Sequence, residues 1–305
     1  MKPSTAIALN RIKRPVDWLV AKLIMLVLRF LRLFPAKPAL NFVGAAARKI
    51  GPLMGRHRTA LANLRQAYPE KSEEELLQIA LDMWENMGKL ATEYIFLDRL
   101  AGFVGEGADS PNVEWKGIDT FNRIRDGGKP TIFFTAHMGN FELLPITAKQ
   151  YGLPMTALFR PPNNQFIAEE VAKVRNMSMD NLLASRVGAA FTLARILDNG
   201  GNIGALVDQK FSHGVASTFF GRECKTNPLL AKLARQFDCD IHPCRCLRLP
   251  GNRYRIEIME KIDPPRDKEG RIDVPGTVQL FNDIVESWIR EYPGQWMWFH
   301  RRWTV

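Results

Sequence analysis

From Val113 onward the sequence alternates short apolar runs with segments of helical period, and this alternation leaves few architectures open. "VEWKGID" reads as a short strand, "TFNRIRDG" as a helix closed by Gly127 and Gly128, and "PTIFFTA" as a buried strand. Further on, "FTLARILDNGG", "NPLLAKLARQF" and "TVQLFNDIVESWIREYP" carry helical patterns, while "NIGALVDQ", "DIHPCRCLRL" and "RYRIEIME" read as strands. Strands alternating with helices predict an α/β fold, a mostly parallel sheet flanked by helices. "SEEELLQIALDMWENMGKLATEYIF" adds a helical preface. It opens with a capping box of Ser72 and Glu75 and carries Leu76, Ala80, Met83, Met87, Ala91 and Tyr94 at helical spacing. At 305 residues and 46% hydrophobic content the chain can bury a sizeable core. Residues 41–305 are expected to form a single α/β domain behind an N-terminal segment, residues 1–40.

That segment holds much of the +10 formal charge. "RIKRPVDWLVAKLIMLVLRFLRLFP" contains an apolar run from Val16 to Phe34, with Lys22, Arg29 and Arg32 on one side of the helix it would form. A basic stripe on an aliphatic body fits a helix lying among lipid head groups or a short, tilted anchor. A buried core helix is the alternative. No cleavage site of a signal peptide is evident, and the charge distribution favours a membrane surface over nucleic acid. The four cysteines, Cys224, Cys239, Cys244 and Cys246, include no C-x-x-C pair and read as reduced thiols in a cytosol-facing protein. Cys239, His242, Cys244 and Cys246 could be offered to zinc, but their alternation suits a strand with small side chains on both faces, so no metal site is assigned.

The chemistry-bearing stretch is "TIFFTAHMGNFELLP", residues 131–145. An apolar strand ends in His137, at the carboxyl end where open α/β sheets place their ligands. Glu142 follows five residues later. On one helix the two would point about 140° apart, but a strand-end turn through Gly139 and Asn140 can bring them together, with Asn140 capping the next helix. A carboxylate that receives one imidazole N–H leaves the other nitrogen free as a base. The bland reading, a satisfied strand-end histidine and a surface glutamate, is equally compatible with the spacing alone.

The H-x-x-x-x-E pattern after an apolar strand resembles the H-x-x-x-x-D/E signature of glycerolipid and lipid A acyltransferases. "GRHRTALANLRQAYPEKSEEE", "HMGNFELLP", "LFRPPNN", "GALVDQKFSHGVASTFFGRECKTNP" and "PGQWMWFHRRW" occur in the order and at the separations of the lipid A late acyltransferases, the lauroyl/myristoyl acyltransferase family. The resemblance runs through most of the chain. Pro228 lies beside a stretch that often has smaller residues in that family.

The resemblance implies a glycerolipid acyltransferase-like fold with an N-terminal membrane-associated helix, at the cytoplasmic face of a bacterial inner membrane. It implies transfer of a fatty acyl chain from acyl carrier protein thioester to a hydroxyl of a hydroxyacyl chain on a phosphorylated glucosamine disaccharide. His137 would be the general base and Glu142 its support. Backbone N–H groups near Gly139 would hold the oxyanion, and no metal or redox cofactor is required. Arg160 would grip an anionic group of the acceptor, with Gly139, Asn140, Asn164, Asp208 and Gln209 also on the substrate-binding side; Asp208 and Gln209 have support of the His137 turn as a second reading. Asn163, His213 and His300 carry weaker signals, and for Trp296, Trp298 and Trp303 core packing is the default. An acidic carrier protein and an anionic lipid both suit the basic chain. The other readings are a glycerolipid acyltransferase with a smaller acceptor, a thioester hydrolase, which lacks a G-x-S-x-G elbow here, and a non-enzymatic membrane-binding protein.

Overall fold

A seven-stranded sheet in the order β1-β9-β8-β2-β5-β3-β4 forms the centre of the molecule. The computed structural model describes residues 3–96, 112–162 and 164–303. The strands are β1 (Val113–Lys116), β2 (Thr131–Thr135), β3 (Met155–Phe159), β4 (Asn181–Ala184), β5 (Asn202–Leu206), β8 (Asp240–Leu249) and β9 (Arg253–Ile258). Every pairing is parallel except that of β8 with β9. β2 lies between β8 and β5, so the apolar run that precedes His137 is central. A separate antiparallel pair, β6 (Lys210–Phe219) and β7 (Arg222–Thr226), was not evident in the sequence. Its Ser217 accepts a hydrogen bond from Asn282 Nδ2 at 3.0 Å, which ties the pair to the last helix.

Side chains alternate across β2, and the two halves of the core follow from that. Phe134 packs among residues of α3 (Gly55–Ala67), α4 (Glu73–Glu93), α8 (Ala189–Asp198), α9 (Leu229–Gln236) and α10 (Val274–Glu291). Phe133 packs on the other face, with residues of α2 (Ala36–Ile50), α5 (Ile118–Gly127) and α6 (Leu143–Gln150). The expected capping box is present: Ser72 and Glu75 bond reciprocally at the start of α4. Leu76, Ala80 and Met83 are buried, whereas Ala91 of the same series faces solvent.

The N-terminal helix α1 (Pro3–Leu31) runs along α7 (Gln165–Ser178) and is tied to it by Asn164, whose Nδ2 donates to the Asp17 carbonyl at 2.8 Å. Between Arg14 and Phe34, α1 and the turn after it bury Ala21 and Leu31 and leave Leu19, Leu23, Leu26 and Phe30 exposed. No helix among the described residues is long and apolar enough to cross a membrane.

Candidate functional site

Register places the first carboxylate. In the parallel pair β2–β5, Thr135 lies opposite Leu206, and the Val207 N–H donates to the Thr135 carbonyl at 3.0 Å, carrying the ladder one step past the strands. Two residues beyond each strand end, His137 and Asp208 therefore stand side by side. His137 Nδ1 lies 2.8 Å from Asp208 Oδ1, and the His137 backbone N–H donates to Oδ2 at 2.9 Å. The Trp296 indole N–H donates to the same Oδ2 at 2.7 Å. Burial by itself would push the Asp208 carboxyl up, but the His137 charge, the two His137 hydrogen bonds and the Trp296 indole outweigh it and hold the group at about 2. An ionised Asp208 only accepts, so the Nδ1 proton stays on the imidazole and Nε2 carries the lone pair. The Gln209 amide nitrogen sits 3.2 Å from Nε2. The His137 side chain is 16% exposed.

Glu142 is elsewhere, and this corrects the expected His137–Glu142 pair. The turn carries Glu142 to the N-cap of α6, on the side of the sheet covered by α7. There it faces Arg175, whose Nε donates to Oε2 at 3.0 Å. Arg175 Nη2 and the Tyr94 hydroxyl both donate to Oε1, and Arg175 Nη2 donates to the Tyr94 oxygen at 2.8 Å. Burial opposes the Arg175 charge, but Glu142 and Tyr94 more than offset it and raise the pKa. Burial, then Glu142, raises the Tyr94 hydroxyl well above its ordinary value. Both Glu142 oxygens are thus occupied. Phe141 lies between the two corners, its ring 5.1 Å from the imidazole.

The rest of the turn is tied into the surrounding fold. Gly139 has φ +55°, and a Cβ there would meet the Cys246 carbonyl oxygen at 2.0 Å, so a side chain is excluded. Its N–H donates to the Gln295 carbonyl at 3.0 Å. Asn140 does not cap α6. It is buried, and its Nδ2 donates to Glu93 Oε2 at 2.8 Å. Glu93 in turn is held by Arg248 and Tyr254, so Asn140 fastens the turn to α4 and β8, while its buried Oδ1 has no hydrogen-bond partner among the described residues. Asn164 is likewise bonded: Oδ1 accepts from the Phe166 and Ile167 N–H groups as the cap of α7, and Nδ2 holds α1. Asn163 lies outside the described residues. Arg160 is exposed one residue past the end of β3, on the same rim as His137.

Three participants were not assigned from the sequence. Trp296 is buried and bridges Met138, so the C-terminal segment closes over the strand-end turn and reaches Asp208. Trp298 and Trp303 are core residues. Arg175 and Tyr94 gave no signal beyond helical spacing. His300 has a buried Nδ1 without a hydrogen-bond partner among the described residues. Burial lowers its pKa, and the nearby His137, Arg302 and Arg160 charges add to this against the pull of Asp208. Among the described residues no group of three His, Cys, Asp or Glu side chains is placed to hold a metal ion.

An apolar cavity is lined by Thr135 and by Phe141, whose ring lies 5.1 Å from the imidazole. It continues between the sheet and α6–α7 past Ala157, Met155 and Gly204, with the Glu142–Arg175 pair in its wall. The combination is a base with a fixed tautomer beside Phe141, which also lines the apolar cavity.

Over residues 6–305 the sequence matches the family described as bacterial lipid A biosynthesis acyltransferase. It is 24% identical over 271 residues to a lipid A biosynthesis myristoyltransferase of Escherichia coli (strain K12), covering 86% of this chain and 78% of that one. To a lipid A biosynthesis lauroyltransferase of the same organism it is 25% identical over 296 residues, 94% and 88% of the two chains. A lipid A biosynthesis acyltransferase 2 of Shigella flexneri is 27% identical over 268 residues, 85% and 82%.

Proposed function

Because the chain belongs to the bacterial lipid A biosynthesis acyltransferases, and is therefore an acyl-transferring enzyme, we propose that His137 is its general base, oriented by Asp208. The observation that carries this reading is the 2.8 Å contact between His137 Nδ1 and Asp208 Oδ1. It leaves Nε2 to take the proton of an acceptor hydroxyl as the oxygen attacks a thioester carbon. The C–O bond forms, the C–S bond breaks, and the imidazolium returns its proton to the departing thiolate. No covalent enzyme intermediate is needed. Asp208 keeps its charge throughout and stabilises the imidazolium.

The donor is a fatty acyl thioester of acyl carrier protein, with its chain in the apolar cavity. The acceptor is the hydroxyl of a hydroxyacyl chain on a phosphorylated glucosamine disaccharide, with Arg160 directed to an anionic group, where a planar guanidinium is the suitable partner. An amphiphilic acceptor requires work at a lipid surface. The exposed aliphatic side chains and basic residues of α1 suit a helix lying on the cytoplasmic face of the inner membrane.

Mass spectrometry of lipid A from cells with and without the protein tests the reading. Gain of one acyl chain in the presence of wild type, and none with His137→Ala, is expected. An unchanged lipid A profile together with acceptor-independent thioester consumption would replace acyl transfer with hydrolysis.

A further inference from the structure

The segments leaving the carboxyl ends of β4 and β5 expose three large apolar side chains. Val187, in the turn between β4 and α8, is fully exposed; Phe191, in the first turn of α8, is 80% exposed; Phe211, two residues after Gln209, is 41% exposed. The rim they occupy is the one that carries His137 and Arg160. β4 stays paired just past its end, the Ser185 N–H donating to the Phe159 carbonyl at 2.7 Å, so the Val187 turn is held next to the Arg160 strand end.

Exposed apolar side chains are unremarkable singly, but grouped on one rim they mark a contact surface. Two further facts favour a bilayer as the occupant. Arg160 and Arg186 are exposed on the same rim, and arginines beside aromatic and aliphatic tips match an interface of anionic head groups over hydrocarbon. The exposed face of α1 is also tied to this rim, since Asp17 is bonded to Asn164 at the start of α7, just beyond Arg160. The apolar surface of α1 and that of the rim therefore share one end of the molecule.

We infer that Val187, Phe191 and Phe211 form a membrane contact additional to α1, dipping into an anionic bilayer and pressing the His137 rim against it. An acceptor lipid could then present its hydroxyacyl chain to Nε2 without leaving the lipid phase. The inference takes its purpose from the acyl-transfer reading, but its test does not use activity.

Nitroxide labels are placed at Val187→Cys, Phe191→Cys and, as a control, Lys261→Cys in the full chain with Cys239→Ser. Lys261 pairs with Asp240 at the opposite end of the sheet. Vesicles of phosphatidylethanolamine and phosphatidylglycerol (3:1) are added, and collisions with oxygen and with a polar nickel chelate are compared. The expected result is that labels 187 and 191 gain oxygen and lose nickel collisions while label 261 does not change. In the unlabelled chain, Val187→Ser/Phe191→Ser is expected to lower vesicle partitioning roughly tenfold with α1 intact. Rim labels that stay aqueous on vesicle-bound protein overturn the inference. So does failure of the full chain to bind vesicles. Immobilisation of the rim labels by an acidic acyl carrier protein, with no response to vesicles, assigns the surface to a protein partner instead.

Discussion

Two buried carboxylates flank the same turn, and they differ in what faces them. Asp208 meets an imidazole, a backbone N–H and an indole, and the imidazole is partly exposed. Glu142 meets a phenol and a guanidinium, the latter in the wall of the apolar cavity. The first carboxylate has a partner that can exchange a proton with a substrate. The second has one that cannot, because a buried guanidinium facing a carboxylate keeps its charge. Sequence distance points the wrong way: Glu142 is five residues from His137 and Asp208 is seventy-one. Sheet register decides the matter.

The sharpest way to break this comparison is a pair of double-mutant cycles. General-base catalysis typically supplies ~10²–10⁴-fold, so His137→Ala is expected to lower kcat by about that range. Asp208→Asn is expected to fall nearly as far, since an amide cannot accept from all three N–H groups and would favour the wrong tautomer. Asp208→Asn combined with His137→Ala should lose little more than either alone, because the two act as one unit. Glu142→Gln with His137→Ala should instead lose close to the product of the single effects. Strong coupling of Glu142 to His137, or independence of Asp208 from it, would reverse the roles assigned to the two carboxylates.

The fold was legible to the extent that it rests on local pattern. The capped α4, the buried β2 and the parallel sheet all follow from periodicity and from short strands separated by helices. The position of His137 at a strand's carboxyl end follows from the same pattern. What the pattern lacks is strand order. β2 lies between β5 and β8, neither of them its neighbour in sequence, so nothing local announces that Asp208 comes alongside. Asp208 and Gln209 did stand out as polar residues ending an apolar strand, which is as far as one sequence carries them. The bonds of Asn140 and Asn164 were not legible for a related reason: Asn140 donates to Glu93 and Asn164 is bonded to α7 and α1, and those partners are distant or supplied by the backbone. The tryptophan-rich end gave composition without direction, and only packing shows that Trp296 alone reaches the site.

Stability offers a second, smaller contrast. Arg175→Met leaves Glu142 buried without its cation and should cost about 3 kcal/mol, with Glu142→Gln/Arg175→Met recovering a substantial part. Asp208 should show its contribution through acid. Its carboxyl is held at about 2, below the ordinary 3.8. The stabilisation is therefore present above pH ~4 and lost as pH falls through about 2, worth about 2 kcal/mol by linkage. In denaturant melts, the gap between wild type and Asp208→Asn should be largest near neutral pH and close toward pH ~2. A gap that does not change with pH would mean that the Asp208 charge is not what the surrounding donors stabilise. A double variant no better than Arg175→Met would mean that the Glu142 corner is held by packing rather than by charge.

The smallest effect concerns Gln209, which stands between the two roles that polar strand-end residues can play. Its amide nitrogen lies 3.2 Å from His137 Nε2, the atom that must receive the acceptor's proton. With the Nδ1 proton fixed by Asp208, Nε2 is an acceptor, so the resting contact is an amide N–H donating to the base. The incoming hydroxyl needs the same lone pair, and the amide must swing away before the proton can move. A neutral hydrogen bond contributes roughly 0.5–1.5 kcal/mol net, or about two- to tenfold in an equilibrium. Gln209→Ala is accordingly expected to lower the acceptor KM by about that factor, with kcat within about threefold of wild type, because the group removed competes with the ground state and is absent from the transition state. If KM instead rises and kcat holds, Gln209 binds the acceptor rather than guarding the base. If kcat falls a hundredfold, Gln209 belongs with Asp208 among the groups that orient His137, and the orienting corner is larger than a single carboxylate.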